Sequence, residues 1–334
     1  PGVPAYVEAV QRYYQRIGAP LAEGDILATS GGSEALQMAM SCILDEGDEI
    51  LIPEPFYTNY NTFVHVAGGR IRPIHSSPEE GYRYAERGRI EPLITERTRA
   101  ILVTNPGNPT GTVLTPEEMN VIADIAKEHG LFLVADEVYR EFVYGGEPLS
   151  TFLTIPGLEE NLIVVDSVSK RFSACGARVG ALISRNPEFI AQAMKLCQGR
   201  LCSATLDQLG AAALYSVDPD YFTATRDEYR RRRNACVEGL HKIPGVVCGE
   251  PKGAFYLMAK LPVDDADKFQ TWLLEEFEDQ GETLMFAPGE GFYATPGKGK
   301  DEIRIAYVLN EADIRRSMEL LGIAIDRYRK EKMA

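Results

Sequence analysis

The sequence predicts an α/β protein: a large domain over residues 1–215 with a mainly parallel seven-stranded sheet, then a smaller α+β domain over residues 216–334. Three observations predict it. From Asp25 to Ser184, short runs rich in Val, Ile and Leu alternate with segments of helical period, the pattern of βα units whose sheet is covered on both faces. After Ser216 the texture changes to one long charged helical stretch followed by mixed strands and helices. The length of 334 residues suits two units at roughly 100–200 residues each.

The elements read in order as follows. The opening PGVPAYVEAVQRYY is amphipathic with helical period, and it carries no basic segment ahead of an apolar block. Strands are expected at Ile26–Thr29, Glu49–Ile52, Arg70–Ile74, Ala100–Thr104, Leu131–Ala135, Leu162–Val165 and Val179–Ile183. The first leads through Ser30-Gly31-Gly32-Ser33-Glu34 into a helix at Ala35–Leu44. Thr115-Pro116-Glu117-Glu118 supplies an N-cap, a first-turn proline and two carboxylates ahead of the helix Met119–His129, which Gly130 closes. Beyond the change in texture come a helix at Asp218–Lys242, strands at Ala254–Lys260, Leu284–Ala287 and Ile303–Val308, and helices at Ala266–Gln280 and Glu311–Lys330.

Composition excludes several classes. Lys and Arg number 35 against 49 Asp and Glu, and the net charge of −14 repels nucleic acid and anionic membranes. Arg230–Arg233 stand beside Asp227 and Glu228 in the charged helix, so they read as a solvated face. No run of about 18 apolar residues can span a membrane. The six cysteines form no C-x-x-C pair, and His65, His75, His129 and His241 show no ligand spacing, so no metal is expected. A reducing, cytoplasmic compartment fits this cysteine usage best.

Ligands of such sheets sit outside the carboxyl ends of the strands, where this chain places unusual polar groups. Ser30–Glu34 offers backbone N–H groups and the Ser33 hydroxyl at a helix start, either an ordinary N-cap or a phosphate cradle. It is a near miss for G-x-S-x-G, since Ala35 stands at the last Gly position. Asn105-Pro106-Gly107-Asn108-Pro109-Thr110-Gly111 follows the fourth strand as a constrained loop. Asp136, in Asp136-Glu137-Val138-Tyr139, ends a buried strand and needs a cation, from the protein or from a ligand. Ser167-Val168-Ser169-Lys170 follows the sixth strand, with Arg178 eight residues on. A desolvated lysine there supplies the neutral amine of Schiff-base chemistry, while the hydroxyls and guanidinium suit phosphate. The S-x-x-K reading, with Ser167 as nucleophile, lacks its S-D-N and K-T-G companions.

These strings, in their order and approximate spacing, resemble the class I/II aminotransferases of the fold-type I pyridoxal-phosphate enzymes, the group that includes aspartate aminotransferase. The resemblance runs from about Pro1 to the last helix. It implies that the cofactor is pyridoxal 5'-phosphate, that Lys170 forms the Schiff base and shuttles the substrate α-proton, and that Asp136 pairs with the protonated pyridine nitrogen. It assigns Asn108 and Tyr139 to the ring's 3'-oxygen and Tyr57 to stacking on the ring. Gly32 and Glu34 through their N–H groups, with Ser33, Ser167, Ser169 and Arg178, become the phosphate shell. Arg304, an arginine among the strand-forming residues of Ile303–Tyr307, is placed on the α-carboxylate of an amino-acid or 2-oxo-acid substrate.

Transamination is the reaction expected from this resemblance, in a homodimer without nucleic-acid or membrane partners. A C–S β-lyase of the same fold and an effector-binding module of a transcription regulator are the alternatives. Relatives extend several dozen residues ahead of Pro1, so a shortened form of a longer protein is expected. Arg200 lies near, but one residue off, a partner-subunit arginine that some relatives use for dicarboxylates. Cys175 reads as a structural neighbour of Lys170.

Overall fold

The computed structural model describes residues 1–144 and 149–333. Its strands, among these residues, are β1 (Ile26–Thr29), β2 (Glu49–Pro53), β3 (Arg70–Ile74), β4 (Thr98–Thr104), β5 (Phe132–Asp136), β6 (Leu162–Ser167), β7 (Gly180–Ile183), β8 (Tyr256–Lys260), β9 (Ala287–Pro288) and β10 (Glu302–Ala306). The first seven form one sheet in the order β1-β7-β6-β5-β4-β2-β3. Neighbours run parallel from β6 to β3, and β7 alone is reversed against both β6 and β1.

The continuous apolar runs are explained by burial on both sides. On one face Ile26, Leu51, Ile101, Leu133, Ala135, Val164 and Ile183 join the core of helices α1 (Pro4–Arg16) and, further on, Pro116–Glu128 and Thr205–Leu214. On the other face Leu27, Ile50, Leu102, Val134, Val165 and Leu182 pack against α2 (Gly32–Ile43), α3 (Asn59–Val66) and Pro187–Arg200. The remaining helices, in chain order, are α4 (Arg87–Ile90), α5 (Pro116–Glu128), α6 (Val168–Arg171), α7 (Pro187–Arg200), α8 (Thr205–Leu214), α9 (Asp220–Leu240), α10 (Ala266–Glu275) and α11 (Glu311–Lys332). Period-two alternation then aims the polar residues at the strand ends. Asp136 and Ser167 emerge on the α2 face, and Glu137 and Asp166 on the α1 face.

A second sheet, β8-β10-β9, shares a core with α9, α10 and α11, and Tyr139, Phe142 and Tyr144 from the segment after β5 belong to that core. β10 is antiparallel to both neighbours and sets Arg304 opposite Met258 and Ala287.

Several expected boundaries shift for local reasons. Leu131 is not in β5: its N–H closes α5 on the Ala126 carbonyl, helped by Gly130 at φ +61°. β5 instead runs on to Asp136, whose carbonyl accepts from Asn105. β6 gains Asp166 and Ser167, which pair with Ala181 and Gly180. The strand expected at Leu284–Ala287 shrinks to Ala287–Pro288, because the Phe286 N–H donates to the Gln270 side chain and not to a ladder. α10 stops at Glu275, and the turn Asp279–Glu282 that follows needs Gly281 at φ +78°. β10 ends at Ala306, beyond which the Tyr307 N–H donates to the Phe255 carbonyl. In α9, Arg230, Arg231 and Arg232 are paired with Asp227 and Glu228 as expected of a solvated face, but Arg233 is buried, donating to the Pro251 carbonyl and meeting Glu250.

Candidate active site

One cleft of about 300 Å³ lies at the carboxyl ends of the parallel strands, closed from the far side by β8 and β10. It is lined by Gly32, Ser33, Tyr57, Asn108, Asp136, Tyr139, Ser167, Ser169, Lys170, Arg178 and Arg304, all of which the sequence singled out. Residues separated by up to 272 positions, from Gly32 to Arg304, are thereby brought to one place. Glu34 is the exception. Its carboxylate accepts from the Ser30 N–H at 2.7 Å and pairs with Arg200 at 3.0 Å, so only its backbone belongs to the helix start. Arg200 also donates to the Ala28 carbonyl and does not line the cleft.

Each side chain is held by its element. Ser167 caps the short α6, receiving the Ser169 N–H and donating to the Ser169 hydroxyl at 2.9 Å. This cap leaves Lys170 half-buried one turn on, with Nζ 3.8 Å from Cys175 Sγ, and Cys175 lines the cleft as well. Arg178, at φ +52°, is fixed through the Cys175 and Ser30 carbonyls. Asn108 is buried between Tyr139 and Arg304, and its Oδ1 accepts from Arg304 Nη1 at 3.2 Å. The Arg304 guanidinium lies between the rings of Tyr256 and Phe292, at 4.6 and 4.9 Å.

Asp136 is the electrostatic centre. Tyr60 donates to it at 2.7 Å and the Val138 N–H at 3.3 Å, and no cation forms a salt bridge with it among the described residues. Burial therefore pushes its carboxyl up to about 6, partly offset by those two hydrogen bonds. Tyr60 is itself buried, and burial followed by the Asp136 charge drives its phenol far above the ordinary range.

The sequence reading missed Leu36, Tyr60, Thr104, Val138 and Tyr256 in the lining. Tyr60 had a usable signal, standing three residues after Tyr57 at the start of a helix and so on the same face. Tyr256 lies two residues before Met258, the partner of Arg304, but only sheet register reveals that proximity.

Three observations test whether pyridoxal phosphate fits this cleft. Gly31, at φ +79°, lets the Arg178 guanidinium pack against the backbone at the start of α2, where a Cβ would lie 2.3 Å from Nη2, so that cation and the N–H groups of the helix start stand together. Asp136 is a desolvated carboxylate without a protein cation among the described residues, as a ring N–H⁺ would require. Arg304 Nε is buried with no acceptor among the described residues, leaving that edge of the fork for a carboxylate. The residues fit the group.

Comparison with known proteins agrees with this chemistry. The profile "Aminotransferase class I and II" matches residues 1–321. The putative aminotransferase YugH of Bacillus subtilis is 33% identical over 287 residues, covering 85% of this chain and 72% of its own length. An aspartate aminotransferase of Streptomyces avermitilis is 33% identical over 304 residues, covering 86% of this chain and 71% of its own. Among solved structures, an aromatic aminotransferase from Pyrococcus horikoshii superposes with a TM-score of 0.88 at 28% identity, covering 99% of this chain and 87% of that one. Fold and cleft thus define a group-transfer enzyme that works through an amine. The chain belongs to the class I and II aminotransferases, which move an amino group between an amino acid and a 2-oxo acid. The lyase and regulator alternatives are not favoured by these relatives. No described helix is long and apolar enough to cross a membrane, and no described cluster of His, Cys, Asp and Glu could hold a metal.

Proposed function

We propose that this chain transfers the amino group of an L-α-amino acid to a 2-oxo acid with pyridoxal phosphate held in the cleft by Lys170. The single observation that carries this reading is that Lys170, Arg178 and Arg304 line one cleft with a buried Asp136 that has no ion-pair partner among the described residues. When bound, the cofactor supplies a cationic ring that accepts electrons from the substrate α-carbon.

The chain's own residues do the rest. Ser33, Ser167, Ser169, Arg178 and the N–H groups at the start of α2 hold phosphate by charge-assisted bonds and the helix dipole. Asp136 would hold the ring N–H⁺, the cation that burial demands, and stay ionised beside it. Asn108 and Tyr139 would hold the ring oxygen by hydrogen bonds, and Tyr57 would supply an aromatic face for the ring. Arg304 grips the α-carboxylate through its two-toothed fork, and the Tyr256 and Phe292 rings fix that fork in one plane. With the carboxylate so anchored, the Lys170 amine would be placed to take and carry the substrate α-proton. Running the same motions backwards on a 2-oxo acid completes the exchange.

We also read residues 1–215 and 216–334 as cofactor-binding and small domains, and the active form as a homodimer. Leu201, 75% exposed, borders a mostly apolar hollow of about 580 Å³ with Met194 and Cys197, and Leu206 is 83% exposed five residues on, which suits burial against a second copy.

A half-reaction screen tests the reading. Protein loaded with pyridoxal phosphate is mixed with each common amino acid and no 2-oxo acid. Transfer gives pyridoxamine phosphate and the matching 2-oxo acid. Pyruvate and ammonia without pyridoxamine phosphate would overturn it in favour of elimination.

A further inference from the structure

On the face of the sheet opposite the cleft, directly behind Lys170, lies a buried ionic cluster that the proposed chemistry does not use. Asp166 and Arg171 are each about 1% exposed. Arg171 Nη2 donates to both Asp166 oxygens at 2.7 and 2.9 Å, its Nη1 donates to the Tyr215 hydroxyl at 3.2 Å, and its guanidinium lies 4.0 Å from the Tyr13 ring centroid. Asp166 also accepts from the Tyr14 hydroxyl, Arg140 and the Ser167 N–H. Arg140 pairs in turn with Glu137.

Two buried arginines against two buried carboxylates are an expensive way to fill a core, since an apolar set of similar volume is often as stable or more so. Their place suggests what else they do. Asp166 is the residue before Ser167, the N-cap of α6, and Arg171 is the residue after Lys170. The fork of Arg171 thus ties both ends of a four-residue helix to one carboxylate, while Lys170 projects to the other side. A helix this short has almost no stability of its own.

The geometry points to Arg171 as a positioning residue: its Nη2, shared by both Asp166 oxygens, and its Nη1 on Tyr215 hold α6 in the register that aims the Lys170 amine into the cleft. This inference rests on the reading of Lys170 as the cofactor-bearing amine. A lysine in place of Arg171 keeps the charge but has one nitrogen, so it cannot hold Asp166 and the Tyr215 hydroxyl together or lie flat on the Tyr13 ring, and the orientation of Lys170 suffers more than the fold.

The test uses the full chain freed of cofactor. Pyridoxal phosphate is added, and its covalent capture is followed by absorbance, then fixed with borohydride and located by peptide mass. In R171K, capture at Lys170 slows by about ten-fold to a hundred-fold, as misplacement of about 1 Å does to a positioned group. Noncovalent cofactor affinity, compared between K170A and K170A/R171K, changes by no more than about two-fold, since neither protein has the lysine to aim. Capture by folded R171K at the parental rate overturns the inference. So does an equal weakening of noncovalent binding in K170A/R171K, which marks a general structural loss. If R171K does not fold, Tyr215→Phe, which removes one acceptor of Arg171, decides on the same two measurements. A parent that captures the cofactor at Lys170 yet transfers no amino group sinks the proposed function and leaves this inference standing.

Discussion

Replacing Asp136 with asparagine is expected to make the cofactor-free protein more stable at neutral pH while removing its use for the cofactor. Burial raises the carboxyl from an ordinary 3.8 to about 6. Between those values the folded chain keeps a proton that the unfolded chain has released. Folded protein then binds more protons than unfolded, so stability falls as pH climbs through this window, and the loss is complete above about pH 6. A rise of about two pH units, at about 1.36 kcal/mol each, makes the ionised carboxylate cost about 3 kcal/mol at pH 7. The substituted amide keeps an oxygen for the Val138 N–H and turns its NH₂ toward the Tyr60 hydroxyl, whose own proton can pass to Thr104 at 2.6 Å, so the net gain is about 1–3 kcal/mol. Urea unfolding of both cofactor-free proteins at several pH values from 4 to 8 measures it, the gap opening between pH 4 and 6.5. A gap that does not change with pH, or a variant less stable than the parent at pH 8, would refute the reasoning. Added pyridoxal phosphate should then raise the melting temperature of the parent by more than that of D136N.

Three further outcomes follow from the cleft. Lys170→Ala is expected to lose the covalent visible band and to slow the half-reaction by about 10²–10⁴-fold or more, since it removes both the amine and the proton carrier; a band that persists sinks the assignment. Arg304→Lys should lower kcat/KM for amino acids by about ten-fold to a hundred-fold through loss of one charge-assisted bond, while a simple amine lacking the carboxylate reacts equally with both proteins. Gly31→Ala pushes a methyl group into Arg178 at a backbone angle that costs about 1–2 kcal/mol for an L-residue, so cofactor affinity, read by fluorescence titration, should fall by about ten-fold or more.

What was legible in the sequence was whatever short-range chemistry encodes. Strand runs ended in polar strings, and those strings met in one cleft because a parallel sheet puts all its carboxyl ends on one edge. Long-range geometry was not legible. Glu34 was read for its backbone N–H, and nothing local revealed that its carboxylate would pair with Arg200, 166 residues away in sequence. The cluster of Tyr13, Tyr14, Arg140, Asp166 and Arg171 drew no notice because each member is ordinary alone and only the α1 packing unites them. In the second sheet, Gln270 captured the Phe286 N–H and erased most of an expected strand, a choice that no local pattern contains.

The reversed strand β7 has a consequence for how the chain is made. β1 sits at the edge of the sheet and pairs only with β7, so Ile26–Thr29 must wait until Gly180–Ile183 has left the ribosome. At about 5–20 residues per second that wait is about 8–30 s. Arg178 and Gly180, which pack on Gly31, arrive as late, Gly180 lying so close that a Cβ on it would be 2.7 Å from the Gly31 carbonyl carbon. A nascent chain therefore carries an uncovered start of α2 and a short apolar edge for most of the synthesis of the large sheet. The brevity of β1, four residues, limits what another nascent chain can pair with during that interval.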